Sequence, residues 1–384
     1  MVNYRRTLDL LNEAKNHSLF LFGPRQTGKT SLLKSQFPDS LYFNLLRAET
    51  FLRLSGNPGL MREEIAAVSS QAGQPIIVDE VQKLPILLDE VHSLIESERL
   101  KFILTGSSPR KLKRGNANLL GGRARTRNLY PLTSNEITDF SLLRAVNFGT
   151  MPFIYLSDDP EEDLLAYCGV YLQEEIQAEG AVRRIENFSR FLRSAASMNG
   201  QELNFEKVAR DISLPSRTVR EYFYILSDTL IGRLLEPYTS TTRRKAVSRS
   251  KFYFFDIGVA NILSNKFRIE PGTEIFGMAF EHIILNEIIA WKSYRRDRRE
   301  ITFWRDYSGN EVDFLIGDDT AIEVKGSGNV HQGHLKGLKT LSEEITLKQK
   351  IVVSMDPQPR LAGDIRILPW NIFLDELWGD QFTN

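Results

Sequence analysis

The chain reads as an α/β protein: a parallel sheet covered by helices, then a helical middle, then a mixed α/β end. Three observations predict this. Short apolar runs at 19–22, 41–44, 76–79 and 102–105 alternate with helical segments, the pattern of strands buried on both faces. Charge then divides the chain, because residues 151–180 carry eight acids and no Lys or Arg, whereas residues 181–251 carry fourteen Lys and Arg against seven acids. Beyond 252, a helical run around Ala279–Trp291 precedes strand-like runs at Ile301–Arg305, Glu311–Ile316 and Thr320–Val324. The expected segments are 1–150, 151–251 and 252–384.

With 384 residues, 42% of them hydrophobic and 26% charged, the composition excludes disordered, collagenous and disulfide-stapled classes. Lys plus Arg and Asp plus Glu balance at 49 each, so any basic surface must be local. One cysteine, Cys168, makes neither an intramolecular disulfide nor a Cys-rich zinc site, which suits a reducing, cytoplasmic setting. No run of 18 apolar residues predicts a membrane span, and residues 1–15 read as an amphipathic helix leading into the first strand.

The first strand is followed by Gly23-Pro24-Arg25-Gln26-Thr27-Gly28-Lys29-Thr30, with Ser31 in the helix that opens there. Glycines let such a loop wrap a phosphate, its amides point inward, and the helix start adds partial positive charge. Lys29 would reach the β and γ phosphates of ATP, and Thr30 would offer its hydroxyl to Mg²⁺. Ile76–Asp79 ends in the pair Asp79-Glu80, which places Asp79 near the metal and Glu80 beside an attacking water. Phe102–Thr105 runs into Gly106-Ser107-Ser108, where Ser107 can sense the γ-phosphate. After Gly121-Gly122, Arg123 and Arg125 suit an arginine finger offered to a neighbouring subunit, and equally a surface basic loop.

In the middle segment, Phe205, Val208, Ala209 and Ile212 keep helical spacing. Ser213-Leu214-Pro215 breaks the run, and Ser216 starts a second helix. This helix-turn-helix pattern would expose Arg217 and Arg220, and a basic wing would carry Arg243, Arg244 and Lys245 toward nucleic-acid phosphates, DNA foremost. Asp256, after a buried aromatic strand, reads as a cap.

The third segment brings charged residues to a hairpin. Glu323 and Lys325 share one strand face, and a turn at Ser308–Asn310 lets Asp313 stand alongside. Two carboxylates suit a divalent cation, and a lysine suits the hydroxide that attacks a phosphodiester. A salt-bridged strand pair would read the same.

Together GPRQTGKT (23–30), IIVDEVQ (76–82), LTGSS (104–108), GGRA (121–124), YPLT (130–133), FFDIGVANIL (254–263), FGMAFEHIILNEI (276–288), EVDF (311–314) and IEVK (322–325) carry a resemblance. The chain resembles AAA-like P-loop ATP-binding proteins with a C-terminal restriction-endonuclease-like domain. That resemblance implies a P-loop NTPase domain with a parallel sheet, a winged helix, and a PD-(D/E)XK nuclease-like domain. In the last, Glu281 is the helical acid, Asp313 and Glu323 the metal ligands and Lys325 the catalytic lysine; Val312 stands where the motif has proline. The implied activity is ATP hydrolysis coupled to action on nucleic acid by a homo-oligomer. The alternative is a nucleotide-gated oligomeric switch or scaffold whose nuclease-like domain is inactive and binds a partner.

Overall fold

The computed structural model describes residues 4–68, 73–107, 109–110, 112, 120–171, 185–241, 246–379 and 381–382. The chain forms two compact units, Met1–Tyr130 with Asp228–Leu230, and Pro131–Ser227 with Ile231–Asn384. Most of 151–251 and all of 252–384 therefore fall in the second unit. Among the described residues, no helix is long and apolar enough to cross a membrane.

In the first unit, strands β1 (Ser18–Phe22), β2 (Tyr42–Asn44), β3 (Ile76–Asp79), β4 (Phe102–Gly106) and β5 (Ala124–Asn128) form one sheet in the order β2-β3-β4-β1-β5. Every pairing is parallel, as the alternating pattern predicts. Every residue of β1, β3 and β4 is buried, which is why these strands read as unbroken apolar runs. Phe20, Phe22, Val78 and Leu104 pack with Leu87 and Val91 of the Leu87–Glu98 helix. The parallel order puts the loops after β1, β3 and β4 at one carboxyl edge, where open α/β sheets bind ligands.

Two expectations need correction here. The opening helix covers only Leu11–Ala14, where the Gln36 side chain accepts the Leu10 N–H (3.0 Å) and donates to the Leu8 carbonyl (2.8 Å), competing with helical hydrogen bonds there. The second correction concerns the surface-loop reading of Arg125, which lies inside edge strand β5. Charge is tolerated at a sheet edge, and the buried Glu13 carboxylate accepts Arg125 (3.1 Å) and Arg127 Nε (2.7 Å).

Among its described residues the second unit holds two sheets. Strands β6 (Gln201–Glu202), β7 (Gly232–Leu235) and β8 (Lys251–Phe254) form an antiparallel sheet in the order β6-β8-β7. Alongside in sequence are helices Ile185–Ser197, Phe205–Asp211 and Ser216–Asp228, the last two separated by a turn with Ser213 left-handed at φ 54°. Strands β9 (Ile301–Arg305), β10 (Glu311–Ile316), β11 (Thr320–Lys325), β12 (Gln349–Ser354), β13 (Arg360–Ala362) and β14 (Ile365–Pro369) form a mixed sheet in the order β13-β14-β12-β11-β10-β9. The Glu274–Arg295 helix packs on β11.

Glu287 on that helix is buried and accepts Ser134 N–H (2.7 Å), Ser134 Oγ–H (3.1 Å) and Trp378 Nε1–H (2.7 Å). Burial outweighs these donors and pushes the carboxyl up to about 7. Between the ordinary glutamate value and 7, the folded protein holds a proton that the unfolded chain releases, so this group's contribution falls as pH rises through that window. The thermal midpoint of Glu287→Gln, which has no such proton, is expected to depend less on pH between 5 and 7 than that of the wild type. Parallel slopes would refute this.

Candidate functional site

In the first unit the loop after β1 enters the Lys29–Gln36 helix through Gly28, which sits at φ 93°. A side chain at Gly28 would be strained there, and no side chain caps this helix start, leaving first-turn amides for an anion. A Cβ on Gly23 would collide with the Leu129 carbonyl. The buried Thr27 hydroxyl donates to Pro24 O at 2.8 Å and closes the loop from inside. Lys29, also buried, donates to Gly23 O (2.7 Å) and Pro24 O (3.1 Å), contacts that phosphate oxygens can replace. Arg25 and Gln26 are half-buried in the loop and Ser31 is exposed on the first turn.

Asp79 organises the neighbouring strand ends. Its Oδ2 accepts Thr30 Oγ1–H at 2.9 Å and Tyr42 O–H at 2.5 Å, while Oδ1 accepts the Thr105 hydroxyl. Thr105 Oγ1 in turn accepts the Glu80 N–H at 3.0 Å. A hydroxyl and a carboxylate joined in this way are hard oxygen donors that fit Mg²⁺ held with ATP phosphates, so Thr30 and Asp79 are the residues that would hold it. Glu80 adopts φ 63°, a strained conformation for a side-chain-bearing residue, and its Oε2 accepts Gln82 Nε2–H at 2.5 Å. Ser107 is buried after β4, and Ser108 lies outside the described residues.

Tyr42, Thr105 and Gln82 were not read from the sequence. Thr105 was within reach of such reading, since it is the last hydroxyl before Gly106 on a strand already aimed at the site. Tyr42 was not, because nothing local announces that β2 lies beside β3.

Arg123 pairs with Glu96 and is exposed. Arg125 stands opposite Leu19 and Asn128 opposite Phe22, so both arginines lie toward the amino ends of the strands. Three residues of strand, roughly 10 Å, separate Arg125 from the level of its own phosphate loop.

In the second unit, a cleft of about 540 Å³ gathers Glu281, Asp313, Glu323 and Lys325, the four residues expected to act together. Asp313 sits where the β9–β10 register slips between Val312 and Leu315, a bulge of the kind that re-aims a side chain. Asp313 Oδ2 accepts the Val324 N–H at 2.7 Å, which leaves Oδ1 for a ligand. Glu323 Oε1 accepts Lys325 Nζ at 2.5 Å, while Glu323 Oε2 is buried without a hydrogen-bond partner.

Burial, with the Asp313 charge added, holds the Glu323 carboxyl well above its ordinary value. Lys325 is pulled down by burial, but Asp313 and Glu323 outweigh this and hold its ammonium protonated. Glu281 is raised to about 7 by burial and accepts Tyr253 O–H at 2.5 Å. Among the described residues, no three His, Cys, Asp or Glu side chains form a metal cage. Mg²⁺ rarely needs one, because one or two carboxylates with water and phosphate oxygens satisfy it. The orphaned Glu323 oxygen and Asp313 Oδ1 fit that requirement.

Lys251, Tyr253 and Glu311 also reach this site and were not read from the sequence. Alternation along β8 was the available signal, since it puts Lys251 and Tyr253 on one face. Arg217 is exposed beside Glu221 (3.4 Å), and Arg220 lies 5.1 Å from the Phe205 ring centre. Arg243, Arg244 and Lys245 lie outside the described residues.

The parallel sheet with its phosphate loop defines the first unit as a P-loop NTPase-like domain. Residues 15–138 match the family model described as an AAA domain, which makes the unit AAA-like. Residues 140–270 and 276–373 match two domains of unknown function, DUF8612 and DUF4143. An uncharacterized protein of Mycobacterium tuberculosis, Rv2008c, is 22% identical over 320 residues, covering 80% of this chain and 70% of that protein. Mb2031c of Mycobacterium bovis, also uncharacterized, matches to the same extent. A solved Walker-type ATPase of Pyrococcus abyssi, PABY2304, is similar at TM-score 0.45 and 15% identity over 68% of this chain and 98% of that one.

Proposed function

We propose that the protein hydrolyses ATP in its first unit and acts on nucleic acid, DNA foremost, through its second, as a cytoplasmic homo-oligomer. In this reading the loop from Gly23 to Ser31 cradles the triphosphate and Thr30 and Asp79 hold its Mg²⁺. Glu80 accepts the proton of the attacking water and Ser107 faces the γ-phosphate. Arg123 and Arg125, distant from their own loop, serve a neighbouring subunit.

The second unit supplies a restriction-endonuclease-like site. A divalent ion at Asp313 and Glu323 would supply charge to a phosphodiester at the moment of cleavage. Lys325 holds an ammonium at the same place, and Glu281 shapes the wall. The three helices and the β6-β8-β7 sheet support a winged helix, in which Arg217, Arg220, Arg243, Arg244 and Lys245 face phosphates. The observation that carries the nuclease reading is the pair of carboxylate oxygens, Asp313 Oδ1 and Glu323 Oε2, left open on one bulged hairpin.

ATP turnover measured with and without single-stranded, duplex and branched DNA, beside a gel for cleavage, tests both halves. Asp313→Asn or Lys325→Ala is expected to lower Mg²⁺-dependent cleavage at least about a hundredfold and leave ATP turnover unchanged. ATP turnover with no nicking of DNA or RNA in Mg²⁺ or Mn²⁺ would remove the nuclease half. The second reading, a nucleotide-gated scaffold, is favoured by the lysines already paired with Glu281, Glu311 and Glu323. It predicts ATP-dependent assembly with turnover indifferent to DNA.

A further inference from the structure

Two lysines of the cleft, Lys325 and Lys251, arrive by different routes. Lys325 shares β11 with the carboxylate that it pairs. Lys251 comes from β8, in the other sheet, and its side chain is 5% exposed. Its ammonium lies 2.6 Å from Glu311 Oε1 and 3.4 Å from Glu281 Oε1, with the Phe303 ring centre 5.2 Å away. Tyr253, on the same face of β8, donates to that Glu281 oxygen and fixes it. Burial pulls this lysine's proton affinity down, but Glu281 and its acidic neighbours outweigh burial and hold the charge in place.

Acids from a helix and from β10 thus converge on one buried cation beside the open oxygens of Asp313 and Glu323. Charge limits what else can enter. Among the described residues, five acids and four bases line the cleft, a formal charge of one negative unit. One divalent ion turns that to one positive unit, which a single phosphodiester anion neutralises.

We propose that Lys251 is a resident cation filling the Glu281–Glu311 side of the cleft, so that the cleft takes one divalent ion, at Asp313 and Glu323, and not two. The count of one rests on the divalent-ion reading above; the role of Lys251 does not. Sequence spacing hides the arrangement, because Lys251 precedes Glu281 by 30 residues and belongs to another sheet.

The test is a calorimetric titration of the full chain with Mn²⁺ alone, without nucleotide. Wild type is expected to bind one Mn²⁺ that Asp313→Asn loses. Lys251→Ala is expected to bind one ion more than wild type, and Lys251→Arg, which keeps the charge, to bind as wild type. The double variant Lys251→Ala with Asp313→Asn should keep the gained ion, placing it at Glu281 and Glu311. An unchanged stoichiometry in Lys251→Ala overturns the proposal. Wild type binding none while Lys251→Ala gains one would instead overturn the Asp313–Glu323 reading and leave the role of Lys251 supported. Should Lys251→Ala unfold, thermal unfolding in millimolar Mn²⁺ decides: restoration of the fold supports the proposal, and no restoration overturns it.

Discussion

Lys29→Ala is expected to lower ATP turnover about a hundred- to a thousandfold while nucleotide binding weakens far less. The side chain is buried, and its ammonium is held by the Gly23 and Pro24 carbonyls of the loop it serves. A triphosphate draws that charge to its β and γ oxygens, where negative charge concentrates as the γ-phosphoryl leaves. The loop amides and the uncapped helix start remain in the variant, so ground-state binding keeps most of its contacts. Loss of a single transition-state charge contact is worth about 3–4 kcal/mol. Steady-state turnover beside calorimetric titration with a non-hydrolysable analogue separates the two effects. Equal turnover by variant and wild type would mean that hydrolysis, if present, occurs elsewhere, and Glu80→Gln gives the complementary case of near-native binding with slow turnover.

The candidate nucleotide site was legible because its parts are local. A loop, a strand end and a second strand end each carry their chemistry within eight residues, and a parallel sheet has one edge on which to bring them together. What escaped was lateral. Tyr42 reaches Asp79 only because β2 pairs with β3, a neighbour relation that no spacing encodes. The cleft of the second unit divides in the same way. Glu323 and Lys325 follow from alternation on one strand, and Asp313 from the adjoining hairpin. Lys251 and Tyr253 depend on a second sheet folding toward the first. Arg125 was misplaced for a related reason: a strand with charged residues at a sheet edge has the composition of a loop. Asp256 was read as a cap and is one, donated to by Gly258 N–H at 2.8 Å and Val259 N–H at 3.4 Å at the start of the Ile257–Leu263 helix.

That cap leads to the largest stability effects expected in the second unit, from Gly149→Ala and Asp256→Ala. Asp256 is buried, and its Oδ2 also accepts the Thr150 N–H at 2.8 Å, so one carboxylate ties the chain after the Leu142–Phe148 helix to the start of another. Gly149 sits at φ 74°, and a Cβ there would collide with the Asp256 carboxylate. Adding a methyl against backbone strain and a fixed polar group costs about 2–4 kcal/mol. Asp256→Ala removes the obstacle but takes the acceptor from the buried N–H groups of Thr150, Gly258 and Val259, a loss of about 3–5 kcal/mol. Asp256→Asn keeps one acceptor oxygen and is expected to cost less than either. Thermal unfolding midpoints should order accordingly, with Asp256→Ala lower than wild type by on the order of 10 °C. Burial raises the Asp256 carboxyl to about 6, so between its ordinary value and 6 the wild-type fold holds a proton that the unfolded chain releases. The wild type is therefore expected to lose stability as pH rises through that window, and Asp256→Asn to lose less. If Gly149→Ala proved neutral while Asp256→Ala unfolded the protein, the carboxylate would still act as the tie, but the close approach of Gly149 would not be what sets its position.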